Sequence, residues 1–447
     1  MVISTRGLLC FSSFSIGRKE LTSRMEGVPI KNTMLSEMCP DAEAAFCFPQ
    51  KYRTANGECN NVKKPMWGVT GAAYLRLKEP EYDDGVGTPR ARSLQTGHRL
   101  PDALAVSSQL MWTHNDPHAH LTALASIWGQ FVAHDISYTL PLSGYERCCD
   151  SMFRQENAME CYPIVVSNGD EAICQEYVRS AIGLKPGCSL GAREQMNFAT
   201  AYLDGSTIYG STSKSSETLR TFKAGLLKLK AGGVLPSDEH NPNCRVANSC
   251  VLSGDERVNH NAGLATLHTL FAREHNRVAT QLSEVNPHWD EETIYQVNAS
   301  INYRLKCIAA RRFSEIPAAQ ASSYMYYLML LFQEARRIVA SEIQHITYNE
   351  FLPTLLGQKV MNSFELRLKG NGYHMGYNDE LPMTTLNSVA NAILPLVLSL
   401  LPPAISFYDS VCSHFEELIV LSIERFLFIE RPAPLTSAIE LHLLGPH

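Results

Sequence analysis

The sequence lacks the long apolar runs that mark a membrane-spanning protein. Hydrophobic residues make up 45% of its 447 positions, yet they are interrupted before any run reaches about 18 residues, so no transmembrane helix is predicted. It also lacks a basic excess, because 39 Lys and Arg against 45 Asp and Glu give a formal net charge of -6. That charge argues against a nucleic acid as partner. With 27 Gly and 23 Pro, a fibrous or disordered chain is excluded as well.

Closely spaced pairs of cysteines, of the Cys-x-x-Cys kind that hold structural zinc, are also absent. The 13 cysteines instead gather in groups, and one group runs from Cys148 to Cys188. This pattern favours disulfides over zinc, and disulfides persist in oxidising compartments. The cysteines therefore predict an extracellular, secreted protein, although the first 17 residues make a poor signal peptide.

Apolar residues at helical spacing identify two strong amphipathic helices. The first follows a polar segment and has its apolar face from Leu121 to Val132. The second covers about 263–282. A weaker, polar helix is predicted over 215–229. Strand-like alternation is scarce, which predicts a mainly α fold.

Two stretches are typical of long loops. Residues 39–107 are rich in Pro, Gly, Asn and Asp, and residues 141–191 are rich in cysteine. At this length the chain forms two or three domains or one large one. The predicted architecture is a helical domain with long loops and disulfides.

A polar stripe lies beside the apolar face of the first helix. Ser126, Gln130 and His134 are each four residues apart and therefore share one side of the helix. A half-exposed helix edge would explain such a stripe. Gly129, however, costs a helix about 1 kcal/mol relative to Ala, which suggests that something approaches the backbone there.

Oxygen-bearing side chains alternate in a second motif, at Thr200, Asp204 and Ser206, with Tyr202 between them. Oxygen ligands at a spacing of two suit a hard cation such as Ca²⁺ when another segment adds a carboxylate. The same residue types also dominate ordinary turns, so the motif alone leaves both interpretations open.

A third polar run, Ser253 to His260, contains Arg257 and leads into the second helix. On that helix, His268 and His275 fall on the apolar side. Core histidines whose polar atoms bond to the backbone explain them better than metal ligation does.

Taken together, these motifs resemble the animal haem peroxidases. The resemblance is interrupted before Glu334 and fades after Ala392. It implies a peroxidase domain with haem b, which reduces H₂O₂ and oxidises a small organic donor or a halide. The matching motifs are, in chain order, Lys51 to Asn61, Trp128 to Asp135, Thr200 to Gly210, Gly254 to Arg257, and His268 to Arg277.

The resemblance also implies roles for single residues. His134 is the distal base that takes a proton from H₂O₂ and returns it to the leaving oxygen. Arg257 is the distal cation that stabilises charge as the O–O bond breaks. Gln130 lines the distal and halide pocket.

A calcium site is implied beside the distal base. Its ligands are Asp135, Thr200, the carbonyl of Tyr202, Asp204 and Ser206. Because Asp135 directly follows the distal base, the ion would hold the distal helix in place.

The sequence departs from the family at the haem contacts. Two carboxylates that tether haem in the mammalian members are replaced by Ala133 and His260, so haem is predicted without the two ester links. Leu398 stands where the family has its iron-ligating histidine, and leucine cannot ligate iron. Other histidines lie outside the family context: His345, His374, His414 and His442.

A second departure runs from Val297 to Gln333. Joining Gln296 to Glu334 restores one helix with regular apolar spacing. Valine codons begin with GT and glutamine can be encoded by CAG, so we interpret the segment as a retained intron, and the tail as a similar error. The chain then divides into an unassigned start (1–38), the distal half of a peroxidase-like domain (39–296), the insertion (297–333), the continued domain (334–392) and an atypical tail (393–447).

Three functional hypotheses follow. The leading one is a haem peroxidase. The alternative is a catalytically inactive, secreted peroxidase-like protein with an adhesion or matrix role, which the missing proximal histidine favours. A calcium-binding structural module is the third.

Overall fold

A computed structural model describes a mainly helical chain. The segment 1–38, most of the insertion and most of the tail lie outside the described residues. The residues described are 47, 50–110, 121–144, 147–156, 159–168, 171–185, 189–238, 250–286, 318–372, 376, 378–400, 404–408 and 414–418.

The described helices and strands are joined by long loops, as the sequence predicts. The helices are α1 (Ala103–Leu110), α2 (Ala123–Ile136), α3 (Ser151–Glu156), α4 (Ser206–Tyr209), α5 (Ser213–Leu219), α6 (Ala262–Val285), α7 (Ala318–Ile346), α8 (Leu352–Ser363) and α9 (Leu394–Ser399). The strands form three antiparallel hairpins: β1 (Ile164–Asn168) with β2 (Glu171–Gln175), β3 (Ile182–Lys185) with β4 (Ser189–Gln195), and β5 (Ala404–Tyr408) with β6 (His414–Leu418).

Helix α2 contributes large aromatic side chains, Trp128 and Phe131, to the main hydrophobic core. Phe131 is fully buried, and its ring centroid lies 5.6 Å from that of Trp128 and 5.6 Å from that of Phe271 on α6. Trp128 also donates from Nε1 to Oγ1 of Thr347, at 3.3 Å. Burial of each ring stabilises the fold by about 1.5–3 kcal/mol.

Helix α6 packs along α7 and completes the core. Leu267 and Phe271 of α6 belong to the same buried cluster as Val339 and Ile343 of α7. The predicted second helix is thereby confirmed with slightly wider bounds.

The end of the insertion belongs to the core. Helix α7 begins at Ala318, inside the segment 297–333. Leu331 and Phe332 are buried to 0% and 1% exposure, so the last turn of the insertion fills the interior.

Two predictions of local structure were wrong. The cysteine-rich loop region contains the two hairpins β1–β2 and β3–β4, whose short strands show no clean alternation. The polar helix predicted to reach Leu229 ends at Leu219. Beyond it the chain turns back through Phe222, Ala224 and Gly225, all with positive φ, which an α-helix cannot accommodate.

Disulfides staple the loops, which confirms the preference for disulfides over zinc. The bonded pairs are Cys47–Cys59, Cys148–Cys161 and Cys149–Cys174. In the part of the chain that the structure describes, no helix has the length and apolar content needed to cross a bilayer.

At Gly254 the backbone of the segment before α6 packs directly against the backbone of the segment from Ser206 to Gly210. A Cβ atom there would lie 2.3 Å from the amide nitrogen of Gly210 and 2.5 Å from the carbonyl oxygen of Ser206. Only glycine allows these two backbone segments to approach so closely.

Gly254→Ala should therefore lower the free energy of unfolding by about 1–3 kcal/mol, since backbone must move to admit the methyl group. Urea denaturation measures the loss. Gly370→Ala is the matched control, because nothing lies within 4 Å of its Cβ position. Equal effects of the two substitutions would contradict the packing argument.

Candidate functional site

The polar stripe of α2 is buried rather than a half-exposed edge. Ser126, Gln130 and His134 are 2%, 2% and 8% exposed. Gln130 and His134 face residues that lead into α6, Oγ of Ser126 donates to the carbonyl of Ala123, and α9 packs against the same helix. Three buried polar side chains on one core helix need partners or a ligand.

His134 is held as a neutral imidazole. Burial lowers its pKa well below the ordinary value, and the neighbouring charge of Arg257 lowers it further. Its Nδ1 atom is buried and has no hydrogen-bond partner among the described residues. A neutral imidazole can accept a proton at neutral pH, which is what a general base requires.

Gln130 is fixed by a residue that the sequence did not single out. Its Oε1 accepts a hydrogen bond of 2.9 Å from Nδ2 of Asn261. Asn261 also caps α6, because its Oδ1 accepts from the amide of Leu264 at 2.9 Å. The start of α6 therefore sets the orientation of Gln130 on α2.

His260 lies beside His134. Their ring centroids are 5.7 Å apart and the ring planes are nearly perpendicular. His260 is exposed and Ala133 is buried. Neither residue offers a carboxylate to this face of α2.

Arg257 is locked to the last turn of α2. Its Nη2 donates to the carbonyl of His134 at 2.9 Å, and its Nη1 donates to the carbonyl of Ser137 at 3.0 Å. Asp255 pairs with it through two hydrogen bonds, of 2.9 and 2.5 Å. A cation at the carboxyl end of a helix is also favoured by the helix dipole.

The pair of Asp255 and Arg257 is almost wholly buried, with side chains 9% and 13% exposed. Burial alone would raise the pKa of Asp255, but the charge and hydrogen bonds of Arg257 outweigh burial and hold the pKa well below its usual range. The guanidinium therefore keeps its counterion at any physiological pH.

Two carboxylates meet in the core directly behind the distal face. Asp135, at the end of α2, and Asp204 are 0% and 2% exposed. Burial raises the pKa of both, and Asp204 raises that of Asp135 further. Two buried like charges side by side are unfavourable unless a cation or protons compensate them.

Hydroxyl and carbonyl oxygens surround these carboxylates. Oγ1 of Thr200 donates to Oδ1 of Asp204 at 3.1 Å and lies 3.5 Å from the carbonyl of Tyr202. Oγ of Ser206 lies 3.1 Å from both the carbonyl and Oδ1 of Asp135. All five predicted ligands are thus brought together.

One oxygen of this cluster lacks a partner. Oδ2 of Asp204 is buried and accepts no hydrogen bond from the part of the chain that the structure describes, whereas Asp135 accepts from the amides of Gly205 and Thr207. Ca²⁺ prefers oxygen ligands of this kind, and the carboxylate oxygen without a hydrogen bond is available to bind it. Among the residues described, no cluster of three or more His, Cys, Asp or Glu could hold a metal ion.

A proximal histidine is not found among the described side chains. Leu398 lies on α9, the helix that packs against α2. His345 is exposed and lines a groove of about 820 Å³ between α6 and α7. His374 and His442 lie outside the described residues, and His414 is described only as part of strand β6.

His268 and His275 are core histidines, as predicted, but only His275 bonds to the backbone, from Nε2 to the carbonyl of Gly225 at 2.9 Å. Nε2 of His268 is buried without a partner among the described residues. Both are fully buried, and burial lowers the pKa of each to about 4. Nδ1 of His268 lies 2.8 Å from Oγ of Ser253, and Nδ1 of His275 lies 3.0 Å from the hydroxyl of Tyr209.

Sequence reasoning missed three residues that complete the site: Asp255, Asn261 and Thr207. Asn261 carried a usable signal, because Asn just before an apolar helix is a typical N-cap. The amide and hydroxyl of Thr207 bind Asp135 at 3.0 and 3.3 Å, a contact that depends on folding and has no sequence signature.

Known proteins share the sequence pattern around this site. The family model of the animal haem peroxidases matches residues 52–304 and 330–438. A peroxidasin homologue of Caenorhabditis elegans is 31% identical over 421 residues, which cover 86% of this chain and 28% of that protein. The chorion peroxidase of Drosophila melanogaster is 33% identical over 390 residues, which cover 82% of this chain and 44% of that protein. The chain thus spans less than half the length of both relatives.

A solved structure shares the fold. Peroxidase A from Dictyostelium discoideum matches with a TM-score of 0.59 at 21% identity, over 84% of this chain and 66% of that chain. The family match also extends past Ala392 and includes residues 330–333, beyond the motifs that carry the resemblance in the sequence.

Asp255→Asn should lower the free energy of unfolding at pH 7 by about 3–5 kcal/mol, because it leaves Arg257 buried without its counterion. The pKa of Asp255 is lowered by folding, so its contribution is present above the unfolded value of about 3.9 and is lost as the pH falls through the folded value. The variant should therefore lose less stability than the wild type on acidification below about pH 4.

Urea denaturation across this pH range measures both effects. Asp150→Asn is the control, since its ion pair with Arg147 is exposed and its removal should change stability little. A stability loss at Asp255 no larger than that at Asp150 would contradict the assignment.

Proposed function

Because this chain belongs to the animal haem peroxidase family, we propose that it reduces H₂O₂ on the distal face of α2 and oxidises a small organic donor or a halide. The buried, neutral imidazole of His134, with its unpartnered Nδ1, is the observation that carries the proposal. His268 also has a buried nitrogen without a partner among the described residues, but His134 lies one helical turn from the buried amide of Gln130 on the polar stripe of α2, so one ligand could meet both side chains.

Haem b supplies the redox chemistry in this proposal. Gln130 and His134 line the face it would occupy, and both fit it, since they are polar, buried and directed by α2. With Ala133 and His260 in place of carboxylates, the haem is held without ester links. In this proposal, the described residues would supply the distal half of the haem site.

His134 moves the proton in the proposed reaction. It takes a proton from one oxygen of H₂O₂ and gives it to the other, which leaves as water when the O–O bond breaks. Two electrons from the donor and two protons complete the conversion of one H₂O₂ to two water molecules. Arg257 provides fixed positive charge within contact distance of the His134 backbone, and Gln130 offers its amide to the pocket.

Calcium is the second proposed cofactor. Asp135, Thr200, the Tyr202 carbonyl, Asp204 and Ser206 supply its oxygen ligands. The ion would neutralise the two carboxylates and connect the end of α2 to the loop before α4. An extracellular location fits both this cation and the disulfides.

An inactive, secreted peroxidase-like protein with an adhesion or matrix role is the second candidate. Leu398 on α9 and the lack of a proximal histidine among the described side chains favour it. The two candidates differ in one property: the peroxidase binds haem and shows a strong Soret band, whereas the inactive protein does not.

His134→Ala should leave the haem content nearly intact and slow H₂O₂ consumption by about 10²–10⁴-fold, because only the proton transfer is removed. Haem is quantified by the Soret band and by extraction into acidified solvent, which should recover all of it if no ester link exists. His98→Ala, at an exposed histidine, is the control. Loss of haem together with activity, or a wild type without a Soret band, would contradict the proposal.

Asp204→Asn should abolish the response to calcium. Saturating Ca²⁺ should raise the Tm of the wild type. At a free Ca²⁺ concentration of 100 to 1,000 times Kd, binding should add about 3–4 kcal/mol to the free energy of unfolding. In chelator, the variant should melt at or above the wild type, since its amide removes the repulsion with Asp135. Glu217→Gln, at an exposed carboxylate, should behave as the wild type. A wild-type Tm that chelator leaves unchanged would disprove the calcium site.

A further inference from the structure

A half-buried tyrosine lies two residues beyond the end of α2, beside the distal face. The hydroxyl of Tyr138 donates a hydrogen bond to Oε1 of Glu256, and Glu256 is exposed. The steps proposed above for H₂O₂ use neither residue. The phenol and its carboxylate therefore stand at the border between the distal face and the solvent.

The neighbouring segment holds Tyr138 in place. Its amide donates to Oδ1 of Asn197 at 2.8 Å, and its carbonyl accepts from the amide of Phe198 at 2.7 Å. The ring of Phe198 meets that of Tyr138 edge to face, with the centroids 6.5 Å apart. The position of the phenol is therefore fixed relative to α2.

Arg257 connects Tyr138 to the distal base. Its guanidinium carbon lies 4.0 Å from the centre of the Tyr138 ring, and its Nη2 donates to the carbonyl of His134 at 2.9 Å. One planar, charged group thus separates the tyrosine ring from the backbone of the distal base.

The charge of Arg257 determines how Tyr138 can lose an electron. A cation over an aromatic ring is attracted by the π electrons, so removal of an electron alone would leave two positive charges in contact. Loss of a proton together with the electron leaves a neutral radical instead. Burial raises the pKa of Tyr138, and the hydrogen bond and charge of Glu256 raise it further. The phenol therefore keeps its proton until it is oxidised, and Glu256 is placed to accept that proton.

We propose that Tyr138 is a second oxidation site, at which phenolic donors too large for the distal pocket are oxidised at the protein surface. The proposal rests on the peroxidase function proposed above, because H₂O₂ is the oxidant. Tyr138 gives an electron to the oxidised haem site and its hydroxyl proton to Glu256. The tyrosyl oxygen then takes a hydrogen atom from the donor, and Glu256 releases its proton to the solvent.

The atoms and electrons of this sequence balance. Two such cycles supply the two electrons and two protons that convert one H₂O₂ to two water molecules, and they leave two donor radicals. Phenols are the favoured donors, because the O–H bond that breaks in the donor is of the same kind as the one that forms in Tyr138.

The first test locates the radical. The haem-loaded chain is mixed with H₂O₂ and a nitroso spin trap, and the trapped residues are identified by peptide mass spectrometry. An adduct is expected at Tyr138 and should disappear with Tyr138→Phe. Tyr52→Phe is the matched control and should keep the Tyr138 adduct, because Tyr52 also donates to a carboxylate, at 2.7 Å, but that carboxylate is Glu334 on α7.

The outcomes separate this proposal from the one on which it rests. A chain that consumes H₂O₂ without an adduct at Tyr138 would overturn the second site and leave the peroxidase proposal standing. A chain that consumes no H₂O₂ would overturn both.

The second test uses donor size. Oxidation of tyramine linked to a soluble dextran is compared with oxidation of iodide, which is small enough for the distal pocket. Relative to iodide, Tyr138→Phe should abolish the reaction of the dextran-linked phenol, and Glu256→Gln should slow it by about 10²-fold, as expected when a proton acceptor is removed. Glu217→Gln, at an exposed carboxylate, is the control. Equal slowing of both donors, or no change in their ratio, would overturn the proposal.

Discussion

The buried carboxylates of Asp135 and Asp204 are the constraint on which the distal face depends. They come from different segments, and burial without a cation makes their meeting unfavourable. The amide of Gly205, the hydroxyl of Ser206 and the amide of Thr207, at the start of α4, all donate to the carboxylate of Asp135. A divalent cation would turn this repulsion into the strongest link between α2 and that loop. Since Asp135 directly follows His134, that link would also hold the backbone of His134 in place.

Hydrogen bonds and an ion pair hold the other residues of the distal face. Arg257 grips the last turn of α2 through two carbonyls and keeps Asp255 as its counterion. Asn261 joins the start of α6 to Gln130. The groups proposed to act on H₂O₂ are therefore fixed by the core before any substrate binds, which is the preorganisation that electrostatic catalysis requires.

The sequence predicts local features well and long-range pairing poorly. The stripe of Gln130 and His134 follows from helical spacing, and the loop around Asp204 follows from alternating oxygens. The contact of Gln130 with Asn261 joins residues far apart in sequence, so no periodicity reveals it. The early end of α5 was missed because positive φ values at Phe222 and Ala224 are set by packing and not by residue type.

The most direct test of the cation-centred site is terbium luminescence. Tb³⁺ replaces Ca²⁺ at oxygen sites, and the tyrosine that supplies a ligand carbonyl, Tyr202, can sensitise its emission. The expected result is one Tb³⁺ per chain, displaced by Ca²⁺ and lost in a chain with Asp135→Asn. No sensitised emission, or emission that survives this substitution, would contradict the account.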